Sequence, residues 1–497
     1  MRPQVLVVGA GPVGLTMAAE LARYGVSLRI IDKAPQPTEK SRAVVVWSRT
    51  LEMLDGMGCA EGFIDAGIAA STAHLIDETQ QAIRVDFSLL DSLFPYALML
   101  PQSETERLLR QHLETFGVRI ERPVELASLQ QNENGVEVTL RHGEDKQEKL
   151  QVDWVIGCDG ARSTVRDLIG QSFGGRSFST EWLMADLRLT GLATPPGEPA
   201  LYFHGDGVLA LFPIGPDNLF RLAANLGPAI EEGRGTDMSL AQIQALVERR
   251  GPTGLKATAA YWHGTFRVNE RQVRNYRSGR VFLAGDAAHV HSPAGGQGMN
   301  TGMQDAANLA WKLAMVCRGD AEGGSLLESY HSERKDVGER TLRVAGRMTW
   351  LGLLRHPIAQ FLRNHLALAI MERRPVQRFL ARQLAGLTVR YRHSPLNGSG
   401  SKAGHRYPAW HSTVIERQPR FRLAGRIAPS ALTQLAARFP TLLHPEAVAS
   451  TEAGLWLVRP DGYVAVAATE GDIAAIDRYL TALLARPMEM LAAAEAI

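Results

Sequence analysis

The fold of the N-terminal part is decided by one stretch, Val5-Leu6-Val7-Val8-Gly9-Ala10-Gly11-Pro12-Val13-Gly14-Leu15. Its apolar start predicts a buried parallel strand from Gln4 to Val8. Apolar residues then recur at helical spacing, and a second strand is predicted from Ser27 to Ile31, ending at Asp32. A strand, turn, helix and strand within about 30 residues is the context in which G-x-G-x-x-G binds a dinucleotide.

The glycines of this motif have separate roles. Gly9 permits the tight turn, Gly11 lets a pyrophosphate approach the backbone, and Gly14 lets helix and strand pack closely. The N-terminus of the helix offers free N–H groups and the positive end of its dipole to phosphates. We expect the Asp32 carboxylate to accept a hydrogen bond from a ribose hydroxyl.

A second motif, Gly157-Cys158-Asp159-Gly160-Ala161-Arg162-Ser163-Thr164-Val165-Arg166, lies between a predicted strand and a predicted helix. Two interpretations remain open for its polar side chains. Asp159 and Ser163 either cap the helix or contact a ligand.

A third motif runs from Arg280 through Gly285-Asp286 to Pro293, Gly295-Gly296-Gln297-Gly298-Met299-Asn300 and on to Leu313. A carboxylate ends a strand, a Gly-rich turn follows, and a helix begins after the turn. This pattern can hold a polyol hydroxyl and point helix N–H groups at an electron-rich ring edge. A Gly-rich surface loop poorly explains so long a patterned stretch.

Together, the three motifs resemble those of the class A flavoprotein monooxygenases, the para-hydroxybenzoate hydroxylase-type FAD enzymes, over about residues 1–345. The segments from Tyr391, Ala403 and Leu457 resemble the C-terminal extension of the larger members, which hydroxylate phenols and aromatic polyketides. In those proteins the extension is thioredoxin-like. Here no cysteine follows Cys317, so this part cannot be a dithiol redox module.

The predicted fold class is α/β, with a Rossmann-like FAD-binding domain interrupted by a β-sheet substrate domain, plus a C-terminal thioredoxin-like α/β domain. Residues 1–71, 98–181 and 270–345 are assigned to the FAD-binding domain, and 72–97 and 182–269 to the substrate domain. Residues 346–392 form a helical connector. Residues 393–497 form the C-terminal domain, preceded by a Gly/Ser-rich stretch around 397–401 that is typical of a linker.

The resemblance implies a set of cofactor-binding residues. For the AMP half of FAD and its phosphates they are Gly9, Gly11, Pro12, Val13, Gly14, Asp32 and, through a backbone contact to adenine, Val124. For the rest of the cofactor they are Arg42, Gln102, Asp159, Gly285 and Asp286, with Pro293, Gly296, Gly298, Met299 and Asn300 along the flavin pyrimidine edge.

No catalytic acid or base and no metal site is predicted. His289 and His291 are expected to be structural or adjacent to the cofactor, and His204, Trp262 and His263 to pack within the substrate sheet.

The activity implied is hydroxylation of an aromatic substrate, phenolic or polyketide-like, through a flavin C4a-hydroperoxide formed from FAD, O2 and NADPH or NADH. Alternatives on the same fold are Baeyer–Villiger oxidation, epoxidation, or inactivation of an antibiotic such as a tetracycline or rifamycin. A further alternative is a flavin-binding or small-molecule-binding protein without catalysis.

Composition excludes other classes. Among 497 residues, 45% are hydrophobic and 21% charged, as in globular proteins. A net charge of +2 gives no basic footprint for nucleic acid. The start of the chain lacks a secretion-signal pattern, and no apolar stretch is long enough to span a membrane. The three dispersed cysteines fit a reducing compartment, so we expect a cytoplasmic protein. The resemblance to the family implies a monomer or homodimer.

Overall fold

The computed structural model describes residues 2–38, 43–79, 81–143, 146–228, 238–352, 354, 356, 373–408, 415–450 and 453–484. Its helices are α1 Pro12–Arg23, α2 Ser48–Met57, α3 Ala60–Ala66, α4 Gln102–Glu114, α5 Thr164–Leu168, α6 Leu240–Arg250, α7 Gly298–Arg318, α8 Gly323–Gly352, α9 Arg374–Leu384, α10 Pro429–Arg438 and α11 Ile473–Leu484.

The strands up to residue 157 are β1 Val5–Val8, β2 Leu28–Ile31, β3 Val45–Val46, β4 Ile68–Ala70, β5 Thr72–Ile76, β6 Ala82–Asp86, β7 Ala97–Met99, β8 Ile120–Glu121, β9 Val124–Asn132, β10 Gly135–His142, β11 Lys146–Val152 and β12 Trp154–Gly157. Those after it are β13 Phe173–Thr190, β14 Ala200–His204, β15 Gly207–Gly215, β16 Leu219–Pro228, β17 Lys256–Val273, β18 Arg277–Ser278, β19 Val281–Leu283, β20 His289–Val290, β21 Arg422–Gly425, β22 Leu455–Val458 and β23 Val464–Ala468.

The first sheet brings the ends of its central strands to one edge. Its order is β18-β19-β12-β1-β2-β8, and β12, β1 and β2 run parallel. Val8 lies opposite both Ile31 and Gly157, and Gly157 lies opposite Leu283. The three sequence motifs therefore all begin at the carboxyl ends of neighbouring strands, where open α/β sheets bind ligands.

Helix α1 covers this sheet and packs against α4 and α7. It is buried on most of its surface: Leu15, Met17, Ala18 and Ala19 are all at most 2% exposed. Small alanines let neighbouring elements approach closely, which explains a helix that is apolar nearly all round.

The second sheet contacts the segment at Ala43 through Arg221 of β16, and we call the space bounded by this face of the sheet and the strand ends of the first sheet the groove. Its order is β20-β17-β13-β16-β15-β14-β5-β6. Strands β5 and β6 come from the segment predicted to interrupt the FAD-binding domain, and α6 covers one face through Ile243 and Val247. The long strands β13 and β17 cross the predicted boundaries at residues 181 and 269, so the domain limits stay a prediction.

The C-terminal unit is a small α/β structure built on the antiparallel sheet β21-β22-β23. Many of its apolar residues, including Leu423 and Leu457, belong to the same buried cluster as the first sheet, and the rings of Trp311 in α7 and Phe421 lie 5.7 Å apart. The Gly/Ser-rich stretch is ordered against it, because Gly398 N–H donates to the Ala465 carbonyl at 2.8 Å. A stretch with linker composition is thus a packed segment.

Buried charges join this unit to α7 and α8. Glu333 accepts hydrogen bonds from Arg459 at 2.6 and 2.9 Å and from Lys312 at 2.7 Å. Arg459 also donates to Asp461 at 2.5 and 3.0 Å, and the side chains of Glu333, Arg459 and Lys312 are 0% exposed. Burial alone would raise the pKa of Glu333, but the two cations hold it well below its usual range.

The predicted α/β architecture is confirmed. The helix predicted from Ile358 to Gln383 lies partly outside the described residues, and its described part is α9. Among the helices that the structure describes, none is long and apolar enough to cross a membrane.

Replacing Arg459 with Met tests the buried charge cluster. We expect a loss of about 3–5 kcal/mol in the free energy of unfolding, because Glu333 and Asp461 would keep their charges without the guanidinium. Urea unfolding followed by circular dichroism measures this. The exposed pair Arg438–Asp477 is the control: Arg438→Met should change stability by less than about 1 kcal/mol. Equal effects of the two substitutions would contradict the interpretation.

Candidate active site

The first motif forms a turn that only glycine allows. Gly9 has φ +101°, and its N–H donates to the Ile31 carbonyl at 2.8 Å. A Cβ on Gly14 would lie 1.8 Å from the Gly9 carbonyl oxygen. The start of α1 therefore rests directly on the turn.

Gly11 differs from its neighbours because nothing in the described structure lies within 4 Å of where its Cβ would be. It is the N-cap of α1 and supplies no capping side chain, and Pro12 follows as the first helical residue. The first-turn N–H groups of a helix have no acceptor within the helix. Open space above a helix N-terminus fits the approach of a pyrophosphate.

Asp32 lies at the end of β2, as predicted, and it also stabilises the glycine turn. Its Oδ2 accepts from Ala10 N–H and its Oδ1 from Ala34 N–H, both at 2.8 Å. Arg122 lies 3.6 Å from the same carboxylate and donates to the Gln36 carbonyl at 3.0 Å. Sequence analysis missed Arg122, which belongs to none of the motifs.

Two other predicted contacts act on the backbone around the groove. Val124 N–H donates to the Asp32 carbonyl at 2.9 Å, and its side chain is buried. Gln102, the first residue of α4, exchanges hydrogen bonds with Ala43 and donates to Glu106 at 2.9 Å. Gln102 thus positions the segment that begins at Ala43. Arg42 lies outside the described residues.

In the second motif, the capping interpretation is realised in the geometry. Ser163 is the N-cap of α5 and accepts from Arg166 N–H at 3.0 Å. Asp159 accepts from the Ser163 hydroxyl at 2.5 Å and from Val165 N–H at 3.1 Å. Burial raises the pKa of Asp159. Its contact with a cofactor stays a prediction.

The third motif is in direct contact with the first. Gly285 has φ +60°, and a Cβ there would lie 2.7 Å from a Val13 methyl group. A Cβ on Gly302 would lie 2.6 Å from the same methyl. Asp286, between the buried residues Gly285 and Ala287, is exposed. Its side chain is therefore accessible to solvent, and its contact with a cofactor stays a prediction.

The loop from Pro293 leads into α7, which begins at Gly298 and has no capping side chain. Asn300 is 1% exposed, and its side chain connects this loop to β3. It accepts from Trp47 N–H at 2.9 Å and donates to the carbonyls of Val45 at 2.8 Å and Gly296 at 2.9 Å. These bonds make the Asn300 side chain a structural clamp. Met299 is half-buried beside the main core.

The two histidines of this motif differ in exposure: His289 is buried and His291 is half-buried. His289 contacts Asp305 at 2.7 Å, and Asp305 also accepts from Arg334 at 2.5 Å. His291 donates through Nδ1 to the Ser292 carbonyl at 2.9 Å, and burial lowers its pKa to about 4. His291 is therefore neutral near pH 7, and His289 is a structural residue hydrogen-bonded to the Asp305–Arg334 ion pair.

The second sheet turns one face toward this groove. Residues directly opposite each other in antiparallel strands share a face. One row across four strands is Trp262–Asp186–Arg221–Phe212, and the next is Gly264–Met184–Ala223–Ala210. We call these eight residues the wall. Phe212 packs against the cluster that contains Val45 and Trp47, so the wall adjoins β3.

The wall contains residues that sequence analysis did not select. Arg221 and Asp186 form a bidentate ion pair with both distances at 2.7 Å. Of the residues that were considered, Trp262 lies in the wall, whereas His204 pairs with Asp206 at 2.6 Å near the β14–β15 turn. No sequence signal links Asp186 to Arg221 before the strands are paired.

The groove fits a flavin dinucleotide. Space above Gly11, an exposed Asp286 and two helix N-termini without capping side chains meet at one edge of the first sheet. Among the described residues, no group of His, Cys, Asp and Glu side chains is arranged to hold a metal ion.

Comparison with known proteins agrees with this geometry. A family model described as FAD binding domain matches residues 2–345. The 6-methylpretetramide 4-monooxygenase of Streptomyces rimosus is 37% identical over 517 residues, covering 93% of this chain and 90% of that protein. The solved anhydrotetracycline hydroxylase from Streptomyces rimosus superposes with a TM-score of 0.81 at 29% identity, covering 98% of this chain and 100% of that chain.

One relative of this chain is named a synthase and not a monooxygenase. The dialkyldecalin synthase of Streptomyces rugosporus is 31% identical over 483 residues, covering 94% of this chain and 96% of that protein.

Two alanine substitutions separate cofactor binding from folding. Gly11→Ala should fold normally but lower FAD affinity about 10-fold or more, because its methyl group enters only the space assigned to the pyrophosphate. Gly14→Ala should lower the melting temperature itself, because its methyl group meets the Gly9 carbonyl. FAD titration by fluorescence and thermal unfolding of the apoprotein measure the two effects. Normal FAD affinity of Gly11→Ala would contradict the assignment.

Proposed function

The chain belongs to the FAD-binding-domain family and is a flavin-dependent monooxygenase of aromatic compounds, and on that premise we propose that it hydroxylates a polycyclic aromatic substrate with NADPH or NADH as reductant. FAD, when bound, supplies hydride acceptance from the nicotinamide and activation of O2. The contribution of this chain is to bind and orient the cofactor and substrate and to exclude water.

Different residues at the groove would hold different parts of the cofactor. The N-terminus of α1 would hold the pyrophosphate, and Asp286 would hold the ribityl hydroxyls. The N-terminal N–H groups of α7 would face the flavin pyrimidine edge, where they favour negative charge. The C-terminal part of α8 and α9 shield the preceding loop, since Gly295 has Met348 and Leu384 within contact distance of its Cβ position.

The proposal of a polycyclic substrate rests on the residues of the wall. Gly264, Ala223 and Ala210 form a row, with Met184 between Gly264 and Ala223, beside the row that holds Trp262 and Phe212. A Cβ on Gly264 would meet only the Trp262 ring, at 3.4 Å. Four strands span about 14 Å. We infer that this apolar row, bordered by the rings of Trp262 and Phe212, receives a planar multi-ring ligand, and we call it the slot.

The similar polyketide-modifying proteins support the same substrate class. One is named for its action on 6-methylpretetramide and one for its action on anhydrotetracycline. The similarity to a protein named dialkyldecalin synthase favours a second candidate, a ring-forming reaction in the same slot without oxygen transfer. Product mass separates the two, because only hydroxylation adds one oxygen atom.

We also propose a cytoplasmic monomer or homodimer. Cys59, Cys158 and Cys317 are free thiols, as in proteins of reducing compartments. Size-exclusion chromatography with light scattering measures the oligomeric state.

Oxidation of NADPH by the FAD-loaded protein under air tests the function. A polycyclic phenol should accelerate NADPH consumption and gain one oxygen atom, with little hydrogen peroxide formed. Product mass and peroxide are measured together, and NADH is compared at equal concentration. A ligand that is converted without mass gain would favour the ring-forming reaction, and absence of any ligand-dependent oxidation would contradict hydroxylation.

Filling the slot should change substrate size preference. Gly264→Leu is expected to lower kcat/KM for a polycyclic phenol about 10- to 100-fold, because the added side chain occupies the slot. A single-ring phenol should be affected less, which makes it the internal control. FAD content and melting temperature confirm that the variant is folded. Equal losses for both ligands would contradict the slot.

A further inference from the structure

The wall holds one ion pair in an otherwise apolar surface. Among its eight residues, only Asp186 and Arg221 are charged. Charged side chains are costly to bury and are retained where they have partners or a task. The pair occupies the middle of its row, between Trp262 and Phe212.

Asp186 and Arg221 differ in solvent exposure. The Arg221 side chain is 2% exposed, whereas that of Asp186 is 18% exposed. Arg221 uses Nε and Nη2 for Asp186, and its Nη1 lies 3.3 Å from the Ala43 carbonyl. The guanidinium is therefore committed to the protein, and the carboxylate is the part of the pair that reaches the open side of the wall.

The carboxylate keeps acceptor capacity toward the slot. Each of its oxygens takes one N–H from Arg221, and an ionised carboxylate oxygen can accept a second hydrogen bond. The positive charge behind it compensates the carboxylate, so that it can act as a fixed acceptor in an apolar environment. A carboxylate held in this way accepts an O–H group and repels an anion.

We propose that Asp186 is a specificity-determining residue that accepts a hydrogen bond from a phenolic or enolic hydroxyl of the polycyclic substrate, with Arg221 as its positioning residue. This inference rests on the proposed function, since it names the substrate group that the slot recognises. The substrate is selected in its neutral hydroxyl form. A methyl ether of the same ring system leaves the carboxylate without a donor and binds more weakly.

Binding to FAD-loaded protein without NADPH tests this independently of turnover. The probes are 2,6-dihydroxyanthraquinone and 2,6-dimethoxyanthraquinone, titrated while the flavin absorbance is recorded. Wild type should bind the dihydroxy compound about 10-fold more tightly than the ether. Asp186→Asn should lose this preference. Because it leaves Arg221 buried without its partner, the double variant D186L/R221M, which removes both charges, is measured beside it.

Asp206→Asn is the matched control. Asp206 belongs to the same sheet region and pairs with the buried Arg250 at 2.9 Å, but it lies at the turn after β14, outside the wall. It should keep the wild-type preference. Raising the pH until the hydroxyl ionises should weaken binding to wild type more than to D186L/R221M, which a merely structural role of the pair does not predict.

The outcomes are distinct. Wild-type preference that is lost in D186L/R221M and kept in Asp206→Asn supports the proposal. Equal binding of the two probes by wild type, binding of neither, or a preference kept in D186L/R221M overturns it. Failure of the proposed function would instead appear as wild-type turnover without gain of oxygen, whatever the binding preference.

Discussion

The close approach of Val13 to two glycines is the constraint on which the groove depends. A methyl group of Val13 occupies the space that a side chain at Gly285 or Gly302 would need. The start of α1, the turn before Asp286 and the first turns of α7 are thereby packed into one body. Since the strands that carry the first and third motifs also end at the same sheet edge, the elements assigned to the two halves of the cofactor are set at a fixed distance.

The segment from Ala43 to Trp47 connects these packed elements to the second sheet. Gln102 holds its beginning from α4, Asn300 holds its end from α7, and Arg221 contacts it from the wall. A segment with bonds to three separate elements has little freedom to shift relative to any of them. The proposed substrate surface and the loop assigned to the flavin edge are consequently positioned by the same few residues.

How far the sequence predicts the molecule depends on the range of the interactions. The strand, turn and helix at Gly9–Gly14 and the position of Asp286 after a strand are local patterns, so they could be predicted from the sequence. The clamp at Asn300 and the pair Asp186–Arg221 depend on contacts between residues 253 and 35 positions apart. Bulges in β13 shift its register, so the wall could not be assigned before the strands were paired. Composition alone also misjudged the packed stretch near Gly398.

Two separate parts of helix α7 contribute to the structure. Its first turn borders the assigned flavin site, while Trp311 and Lys312, about 20 Å further along, are embedded in the contact with the C-terminal unit. The C-terminal unit thus supports the helix that is assigned to the flavin site. Hybrid enzymes assembled by exchanging such units would therefore have to transfer Lys312, Glu333, Arg459 and Asp461 as one set, because a buried charge left without its partner would destabilise the contact that holds α7.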